Sequence, residues 1–301
     1  MTLTTGGLAE TMRSGLVGTI RMINTSGQFV YPAQTPHREY WLPPEQWQPK
    51  GEPGNHKGGS ADCAFVAHVT PSKAIEALFS GSNREPAAIE CQTAIHLAYY
   101  RSLLMIIGHS VFDTVFHSGL DLQMGTKTRP PSKVWYFTSR SLARRQNQIK
   151  SGDWVYFRNS SYYLTRHPGS EWQGENALMI GYNQNTNSYE GFGAHGSEKA
   201  IRSKLLAAYN VDSPKHDSDT FCPKLLDVND ADGQLVVTAI DLIPGLVLPA
   251  GMRNHGQINI VGPDINKIRT TIEQASSHGW AAQEISIDPQ QRQDFYEFNA
   301  M

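Results

Sequence analysis

Between Cys91 and about Ile107 the chain is apolar on nearly every face of a helix, and this run constrains the fold more than any other feature. Its apolar residues are Ala94, Ile95, Leu97, Ala98, Leu103, Leu104 and Ile106. A helix that lacks a polar face has to be covered on all sides. We therefore predict a central helix inside the fold, with Glu90 and Cys91 at its N-terminal end.

Two interpretations of Cys91 are open from the residues alone. Free cysteine is among the most buried residue types and packs as a small hydrophobe, which would make Cys91 an inert part of the core. Alternatively, the unpaired N–H groups at a helix N-terminus favour negative charge, which lowers the pKa of a thiol and prepares it as a nucleophile. The same groups can hold the negative oxygen that forms when a carbonyl is attacked.

Downstream of this helix the hydrophobic period changes to that of strands. Short segments rich in aromatic and β-favouring residues predict neighbouring antiparallel strands, and they lie at 152–157, 175–182 and 188–192. Residues 197–210 return to helical spacing, with Ser197 as a possible N-cap. A buried helix followed by an antiparallel sheet predicts the α+β class and is the order found in papain-like cysteine enzymes.

The predicted domain organisation has three parts. Residues 1–58 form an irregular segment that wraps the core, because proline, glycine and aromatic residues without a sustained period fill most of it. The core covers 59–210, and Thr70-Pro71 starts a short helix there, with a hydroxyl N-cap and proline at the first helical position. Residues 211–301 form an α/β extension packed on the core. Its predicted elements are strands within 234–243, 256–261 and 283–287 and a helix at about 264–277.

Composition narrows the class of protein. A chain of 301 residues with 39 % hydrophobic residues can bury one large core, which predicts a soluble globular protein. The formal net charge of −2 gives no field that would gather nucleic acid or anionic lipid, so neither is an expected partner. We find no signal peptide and no membrane span, and we expect a cytoplasmic location, with non-classical export as an effector as the alternative.

Cysteine and histidine give no sign of a metal or a cofactor. The three cysteines, Cys63, Cys91 and Cys222, are too few and too scattered for a disulfide framework or a metal site. Cys63 and Cys222 are predicted to be inert thiols. None of the eleven histidines lies in an HExxH pattern, and His96 is predicted to be a packed or surface residue. We therefore predict no metal and no cofactor.

Five segments in order resemble the blocks of a known enzyme family. They are "VTPSKAIEALFSG", "IECQTAIHLAYYRSLL", "SGDWVYFRN", "HPGSEWQGENALMIG" and "YEGFGAHG", which together cover roughly residues 60 to 200. This stretch is similar to the bacterial spore-coat-type transglutaminase, a protein-glutamine gamma-glutamyltransferase with a papain-like core. The resemblance implies an acyltransferase whose partners are glutamine-bearing and lysine-bearing protein substrates.

The resemblance also implies roles for individual residues. Cys91 matches the nucleophile, and Glu175, in "WQGEN", matches the acidic residue paired with it. Glu90 matches a second acid that partly substitutes for that partner. Trp172 matches an aromatic residue that borders the active-site tunnel and contacts substrate.

A histidine of the family pattern has no direct counterpart here. Phe192 occupies the aligned position in "YEGFGAHG", and His195 lies three residues further along the chain. We carry His195 as a candidate catalytic residue beside Cys91, Glu175 and Glu90.

The acyl-transfer reaction requires an acid that is protonated near neutral pH. A glutamine carboxamide is a poor electrophile, so a thiolate has to attack it while an acid protonates the departing ammonia. A glutamate can do so only if burial or a nearby negative charge raises its pKa from about 4.3 toward neutral. Cys91 and Glu175 are therefore expected to share one proton as a coupled pair.

Three other functions use or retain the same core. A glutamine deamidase toxin or effector would let water reach the thioester, and a cell-wall peptidase relative would require a well-placed histidine base. A non-enzymatic binding protein is the remaining alternative, and the presence of Cys91, Glu90 and Glu175 argues against it.

Overall fold

The fold was analysed in a computed structural model, which describes most of the first two thirds of the chain and three later strands. The described residues are 5–35, 40–49, 65–81, 83–117, 122–125, 135–138, 151–159, 163–167, 170, 172–183, 186–211, 225–229, 235–239 and 258–263. The predicted strand within 283–287 and the predicted helix at about 264–277 lie outside these residues, as do Cys63 and Cys222.

Within the described residues there are five α-helices and one 3₁₀ helix. The α-helices are α1 (Thr5–Thr25), α2 (Pro71–Ala77), α3 (Cys91–His117), α4 (Tyr163–Arg166) and α5 (Glu198–Asn210). The 3₁₀ helix is Pro32–Gln34.

The described strands number thirteen. They are β1 (Phe29–Val30), β2 (Trp47–Pro49), β3 (Phe65–Ala67), β4 (Ala87–Ala88), β5 (Gln123–Met124), β6 (Trp135–Thr138), β7 (Trp154–Arg158), β8 (Gly174–Asn183), β9 (Thr186–Gly191), β10 (His195–Ser197), β11 (Leu225–Asn229), β12 (Leu235–Ala239) and β13 (Ile258–Pro263).

The main sheet has six strands in the order β10-β9-β8-β7-β13-β6, and every neighbouring pair is antiparallel. The predicted antiparallel neighbours β7, β8 and β9 are confirmed. The description of 211–301 as an extension packed on the core is wrong for β13, which lies inside the sheet between β7 and β6. The helices and this antiparallel sheet confirm the mixed α and β composition that the sequence predicts.

The helix α3 is the central helix that the apolar run predicts, and its residues from Thr93 to Tyr100 are all buried. The helix is interrupted at Gly108, which has φ 75° and ψ 165°. A positive φ favours glycine because it lacks a Cβ, and this interruption explains why the apolar period ends near Ile107.

The part of α3 that follows Gly108 is hydrogen-bonded to the start of α2. Asp113 accepts hydrogen bonds from the backbone N and the side-chain Oγ of Ser72, at 2.7 and 2.9 Å. Pro71 begins α2 as predicted, but the Thr70 side chain makes no capping hydrogen bond. Asp113 therefore caps α2 in place of the Thr70 hydroxyl. This contact could not be predicted from the residues next to α2, because Asp113 is distant along the chain.

The expectation that residues 1–58 are irregular is wrong for Thr5–Thr25, which forms α1. Apolar residues at helical spacing bury one side of α1 in the same core as α3, and they are Met12, Leu16, Ile20 and Ile23. Gly15 lets the two helices approach closely, because a Cβ there would lie 3.1 Å from the Cβ of Ser102.

The main sheet separates two cores. Trp154 and Leu178 belong to the large core that contains α1 and α3. Val155 and Ala177 belong to a second core, which contains apolar residues of α5. Successive side chains of a strand point to opposite faces, so β7 and β8 each serve both cores. Within the described residues no helix has both the length and the apolar character needed to cross a bilayer.

Candidate active site

The start of α3 is fixed by two neighbouring strands. The short strand β4 ends two residues before Glu90 and pairs in parallel with β1, and its Ala88 also bridges to Trp41. Both alanines of β4 are buried. The turn that presents Glu90 and Cys91 is therefore held by backbone hydrogen bonds from the N-terminal part of the chain.

Glu90 caps the helix. Its carboxylate accepts hydrogen bonds from the backbone N of Gln92 at 2.5 Å and of Thr93 at 2.7 Å, and from the Thr93 hydroxyl at 2.5 Å. A carboxylate at this position satisfies amides that the first turn leaves unpaired and complements the helix dipole. These two amides therefore bind Glu90 and are not available to the sulfur of Cys91.

Cys91 is half-buried at the first position of α3, and its Sγ accepts a hydrogen bond from Nδ2 of Asn176 at 3.2 Å. The Oδ1 of Asn176 accepts from Nε1 of buried Trp154 at 2.8 Å, which orients the amide. Sequence reasoning missed Asn176. Strand alternation could have indicated it, because Asn176 shares the α3-facing side of β8 with Leu178.

Glu175 is buried, with 1 % of the residue exposed. A backbone hydrogen bond from Ala194 reaches its carboxyl, while its Oε1 is buried without a hydrogen-bond partner among the described residues. Gly191 makes room for this carboxyl, because a Cβ there would lie 2.1 Å from Oε1.

Burial controls the protonation of this carboxyl. It raises the pKa of Glu175 to about 8, and the negative charge of Glu90 acts in the same direction. The hydrogen bond from Ala194 and the charge of Lys204 oppose the rise. Glu175 is therefore mainly protonated at neutral pH, as the acid in the expected mechanism needs to be.

The thiol shifts in the direction opposite to the one that the helix N-terminus predicts. Burial, then Glu175, then Glu90 raise the pKa of Cys91 well above its ordinary value, and the hydrogen bonds from Asn176 oppose the rise. The prediction of a lowered thiol pKa is wrong, because burial and the charges of the two nearby carboxyls outweigh any stabilisation from the helix N-terminus. Burial also raises the pKa of Glu90, against the hydrogen bonds from Thr93 and Gln92.

Three side chains from separate parts of the chain meet over Gly193. The position that a Cβ on Gly193 would occupy lies 2.7 Å from the Tyr31 hydroxyl, 3.2 Å from Oε2 of Glu175 and 3.3 Å from Cη2 of Trp172. The Tyr31 ring stacks on Phe192, with 4.7 Å between centroids. Tyr31 and Phe192 thus form an aromatic wall beside the buried carboxyl, and sequence reasoning missed Tyr31, which gives no local signal.

Trp172 also contacts a cation. It is half-buried against the second core, and Nζ of Lys204 lies 5.0 Å from the centroid of its ring. The same Nζ donates to the carbonyl oxygen of Gly193. The structure thus brings Cys91, Glu90, Glu175 and Trp172 into one region, together with Asn176, Tyr31 and Lys204.

The described histidines do not join this group. His195 is exposed at the start of β10, and its catalytic role stays a prediction. His96 is a core residue, as predicted, because it is buried against Trp154 with 5.6 Å between ring centroids, and burial lowers its pKa to about 3. Among the described residues, no cluster of histidine, cysteine or acidic side chains could hold a metal ion.

The first prediction concerns Asn176. Asn176→Ala should shift the pH midpoint of Cys91 alkylation upward by about one unit or more, since a hydrogen bond to a charged group contributes about 1.5–3 kcal/mol. Iodoacetamide labelling across a pH series, resolved by mass spectrometry, measures this midpoint. Asn187→Ala, at another buried asparagine on β9, is the control and should leave it unchanged. Equal midpoints in all three proteins would show that Asn176 does not act on the sulfur.

The second prediction is that the Glu175 carboxyl destabilises the fold at alkaline pH. Its pKa is about 8 in the folded protein, against an ordinary value of 4.5. The folded state therefore holds the proton more tightly, and stability falls as pH rises through this window. From pH 5 to pH 9, Glu175→Gln should gain about 2–4 kcal/mol of unfolding free energy relative to the native sequence.

Denaturant unfolding at a series of pH values measures this gain. Glu45→Gln, at an exposed carboxylate, is the control and should follow the native pH profile. If the profile of Glu175→Gln ran parallel to that of the native protein, the Glu175 carboxyl would have an ordinary pKa.

Comparison with known proteins identifies the family to which the sequence is similar. The family model described as Protein-glutamine gamma-glutamyltransferase matches residues 56–218, more than half of the chain. Among curated proteins with that name, the Bacillus pumilus protein is 26 % identical over 177 residues, which are 58 % of this chain and 60 % of the relative. The Halalkalibacterium halodurans protein is 32 % identical over 137 residues, which are 45 % of this chain and 42 % of the relative.

A third relative, from Bacillus mycoides, is 30 % identical over 126 residues, 39 % of this chain and 37 % of the relative. The chain thus spans between 37 % and 60 % of the length of these three relatives. The matched segment contains Glu90, Cys91, Trp172, Glu175, Asn176 and Lys204, while Tyr31 lies before it. The chain therefore belongs to the protein-glutamine gamma-glutamyltransferase family.

Proposed function

We propose that this protein is an acyltransferase that forms gamma-glutamyl-lysine cross-links between proteins through a thioester on Cys91. The observation that carries the proposal is the pair of half-buried Cys91 and buried Glu175, in which a carboxyl with a pKa of about 8 lies close enough to raise the pKa of the thiol. Family membership over residues 56–218 supports the same function. A cysteine at the start of a buried helix that packs on an antiparallel sheet also supports a papain-like core.

The reaction starts when the pair loses one proton. The remaining proton resides on Glu175 when the thiolate of Cys91 forms, and Asn176 stabilises that thiolate through its hydrogen bond to Sγ. Sγ then attacks the carbonyl carbon of a glutamine side chain. Because Glu90 binds the amides of Gln92 and Thr93, we assign the backbone amide of Cys91 as the helix donor to the developing oxyanion.

Ammonia leaves in the next step. Glu175 donates its proton to the departing nitrogen, the carbon–nitrogen bond breaks, and a thioester remains on Cys91 with Glu175 ionised. The burial that raises the pKa of Glu175 makes this donation possible at neutral pH, where an ordinary glutamate has no proton to give.

A lysine amine completes the transfer. Ionised Glu175 takes a proton from the amine, the nitrogen attacks the thioester carbonyl, and the sulfur of Cys91 departs as the isopeptide bond forms. The proton on Glu175 then restores the starting pair. Water in place of the amine would give glutamate.

The aromatic residues around Gly193 favour transfer over hydrolysis. Tyr31, Phe192 and Trp172 place apolar surface beside Glu175, and such surface excludes water while it accepts the alkyl stem of a lysine. These residues support lysine-bearing and glutamine-bearing proteins as substrates. A peptidase would need a histidine base, whereas the side chains that act on the pKa of Cys91 are Glu175, Glu90 and Asn176.

The third prediction tests the carboxyl. Glu175→Gln should lower the rate of ammonia release from a glutamine-containing protein by a factor of roughly 10² to 10⁴, the usual contribution of a positioned acid. Glu90→Gln should lower this rate by a smaller factor, because Glu90 binds the first-turn amides of α3 and is not the proton donor. His195→Ala should be milder still, because His195 is exposed. A loss in His195→Ala as large as in Cys91→Ser, with Glu175→Gln nearly silent, would replace this mechanism with a cysteine and histidine pair.

The fourth prediction separates transfer from hydrolysis. A glutamine-containing protein mixed with a fluorescent primary amine should become labelled and release ammonia in equal amounts. The rate should rise with pH toward about 8, because the coupled pair has to lose one proton and the raised pKa of Glu175 sets that range. Ammonia release with conversion of glutamine to glutamate and no labelling would identify a deamidase. Cleavage of peptidoglycan fragments without ammonia would identify a peptidase.

A further inference from the structure

Lys204 already holds a primary amine beside the site. Its Nζ, on α5, donates to the carbonyl oxygen of Gly193 and lies 5.0 Å from the centre of the Trp172 ring. Its charge is also close enough to lower the pKa of Glu175. A carbonyl acceptor and an aromatic face thus contact one ammonium group, and both favour a cation on an alkyl stem.

The same residues form the point where the other active-site side chains converge. Gly193 and Trp172 meet the Tyr31 hydroxyl and Oε2 of Glu175 around a single position, within 3.3 Å of it. The amine of Lys204 therefore binds the carbonyl of the same glycine, Gly193, over which the carboxyl of Glu175 lies. An acyl acceptor has to bring its own amine toward that carboxyl before it can attack a thioester.

The exposure of Lys204 indicates that its amine can be displaced. The residue is exposed on α5, and an ammonium at the surface exchanges readily between protein and water contacts. A lysine of another protein presents the same chemical group on the same stem. It can replace Lys204 on the Gly193 carbonyl and the Trp172 ring without loss of contacts for the site.

We infer that Lys204 occupies the subsite through which the acyl-acceptor lysine approaches, so that the substrate amine has to displace it. The inference rests on the proposed acyl transfer for its biological role, while the subsite itself can be tested without turnover. Its ligand class is a primary ammonium on an unbranched alkyl stem. Lys204 then acts as an internal competitor that lowers the apparent affinity for small amines.

A kinetic test uses Lys204→Met, which keeps the length of the stem and removes the amine. With a saturating glutamine donor and n-butylamine as the acceptor, the KM for the amine should fall at least threefold, and the KM for the donor should stay within twofold. Lys199→Met, at another exposed lysine of α5, should leave both constants at the native values. An amine KM that is unchanged or higher in Lys204→Met would overturn the inference.

Lys204→Gln provides a second variant if the methionine change lowers the melting temperature. Its amide can still donate to the Gly193 carbonyl but carries no charge, so the Gly193 contact is kept while the competing ammonium is lost. The same fall in the amine KM is expected. A drop in kcat in Lys204→Met that Lys204→Gln restores, with an unchanged amine KM in both variants, would show that Lys204 only braces the backbone at Gly193.

A binding test needs no turnover. In protein labelled with ¹³C at lysine, the ε-methylene signals of Lys204 should be shifted by the Trp172 ring and should vanish in Lys204→Met. Added n-butylamine should move these signals toward those of a solvent-exposed lysine. Signals that do not move at saturating amine would overturn the subsite. Signals that move in a protein that releases ammonia but incorporates no amine would keep the subsite and reject the proposed transfer.

Discussion

The burial of one carboxyl group is the constraint on which the rest of the site depends. Glu175 has one oxygen without a partner among the described residues, and its removal from water raises its pKa to about 8. The surroundings permit this burial only because Gly191 and Gly193 leave space that any Cβ would fill. A buried acid with one unpartnered oxygen is unfavourable for stability, and the proposed use of its proton in the reaction would explain why it is kept.

The strand β8 explains how an acid and an amide can serve the same cysteine from adjacent positions. Asn176 lies on the face of the sheet that packs against α3 and reaches Sγ of Cys91 directly. Glu175 begins on the other face, near the end of β9, and its carboxyl lies over Gly191 and Gly193. The acid therefore acts on the thiol through its charge, while the amide acts through a hydrogen bond. Glu90 adds a second negative charge and at the same time closes the first turn of the helix.

Much of this arrangement could be predicted from local pattern. The apolar period predicted the central helix and its end near Gly108, and short segments rich in aromatic and β-favouring residues predicted β7, β8 and β9. Ser197 caps α5 as expected, accepting from the backbone N of Ala200. The predictions that were wrong, and the residues that were missed, involve contacts between segments that are distant along the chain. The helix α1 was not predicted, because its glycines disfavour a helix locally and its stability depends on close packing of Gly15 against Ser102 of α3. Tyr31 and Lys204 reach the site from two further segments of the chain. The direction of the thiol pKa shift was missed because burial of Cys91 and the approach of Glu175 from β8 are set by the folded structure.

The place of β13 in the main sheet has a consequence for synthesis. β13 pairs with β7 on one side and with β6 on the other, and β7 in turn pairs with β8, which carries Glu175. While the ribosome is still making the chain, the edge of β7 stays open until Ile258–Pro263 has emerged from the exit tunnel. The strands beside Glu175 are thus completed late in translation, after both Cys91 and Glu175 have been made. A nascent chain therefore contains Cys91 and Glu175 before the sheet that holds Glu175 has all its strands.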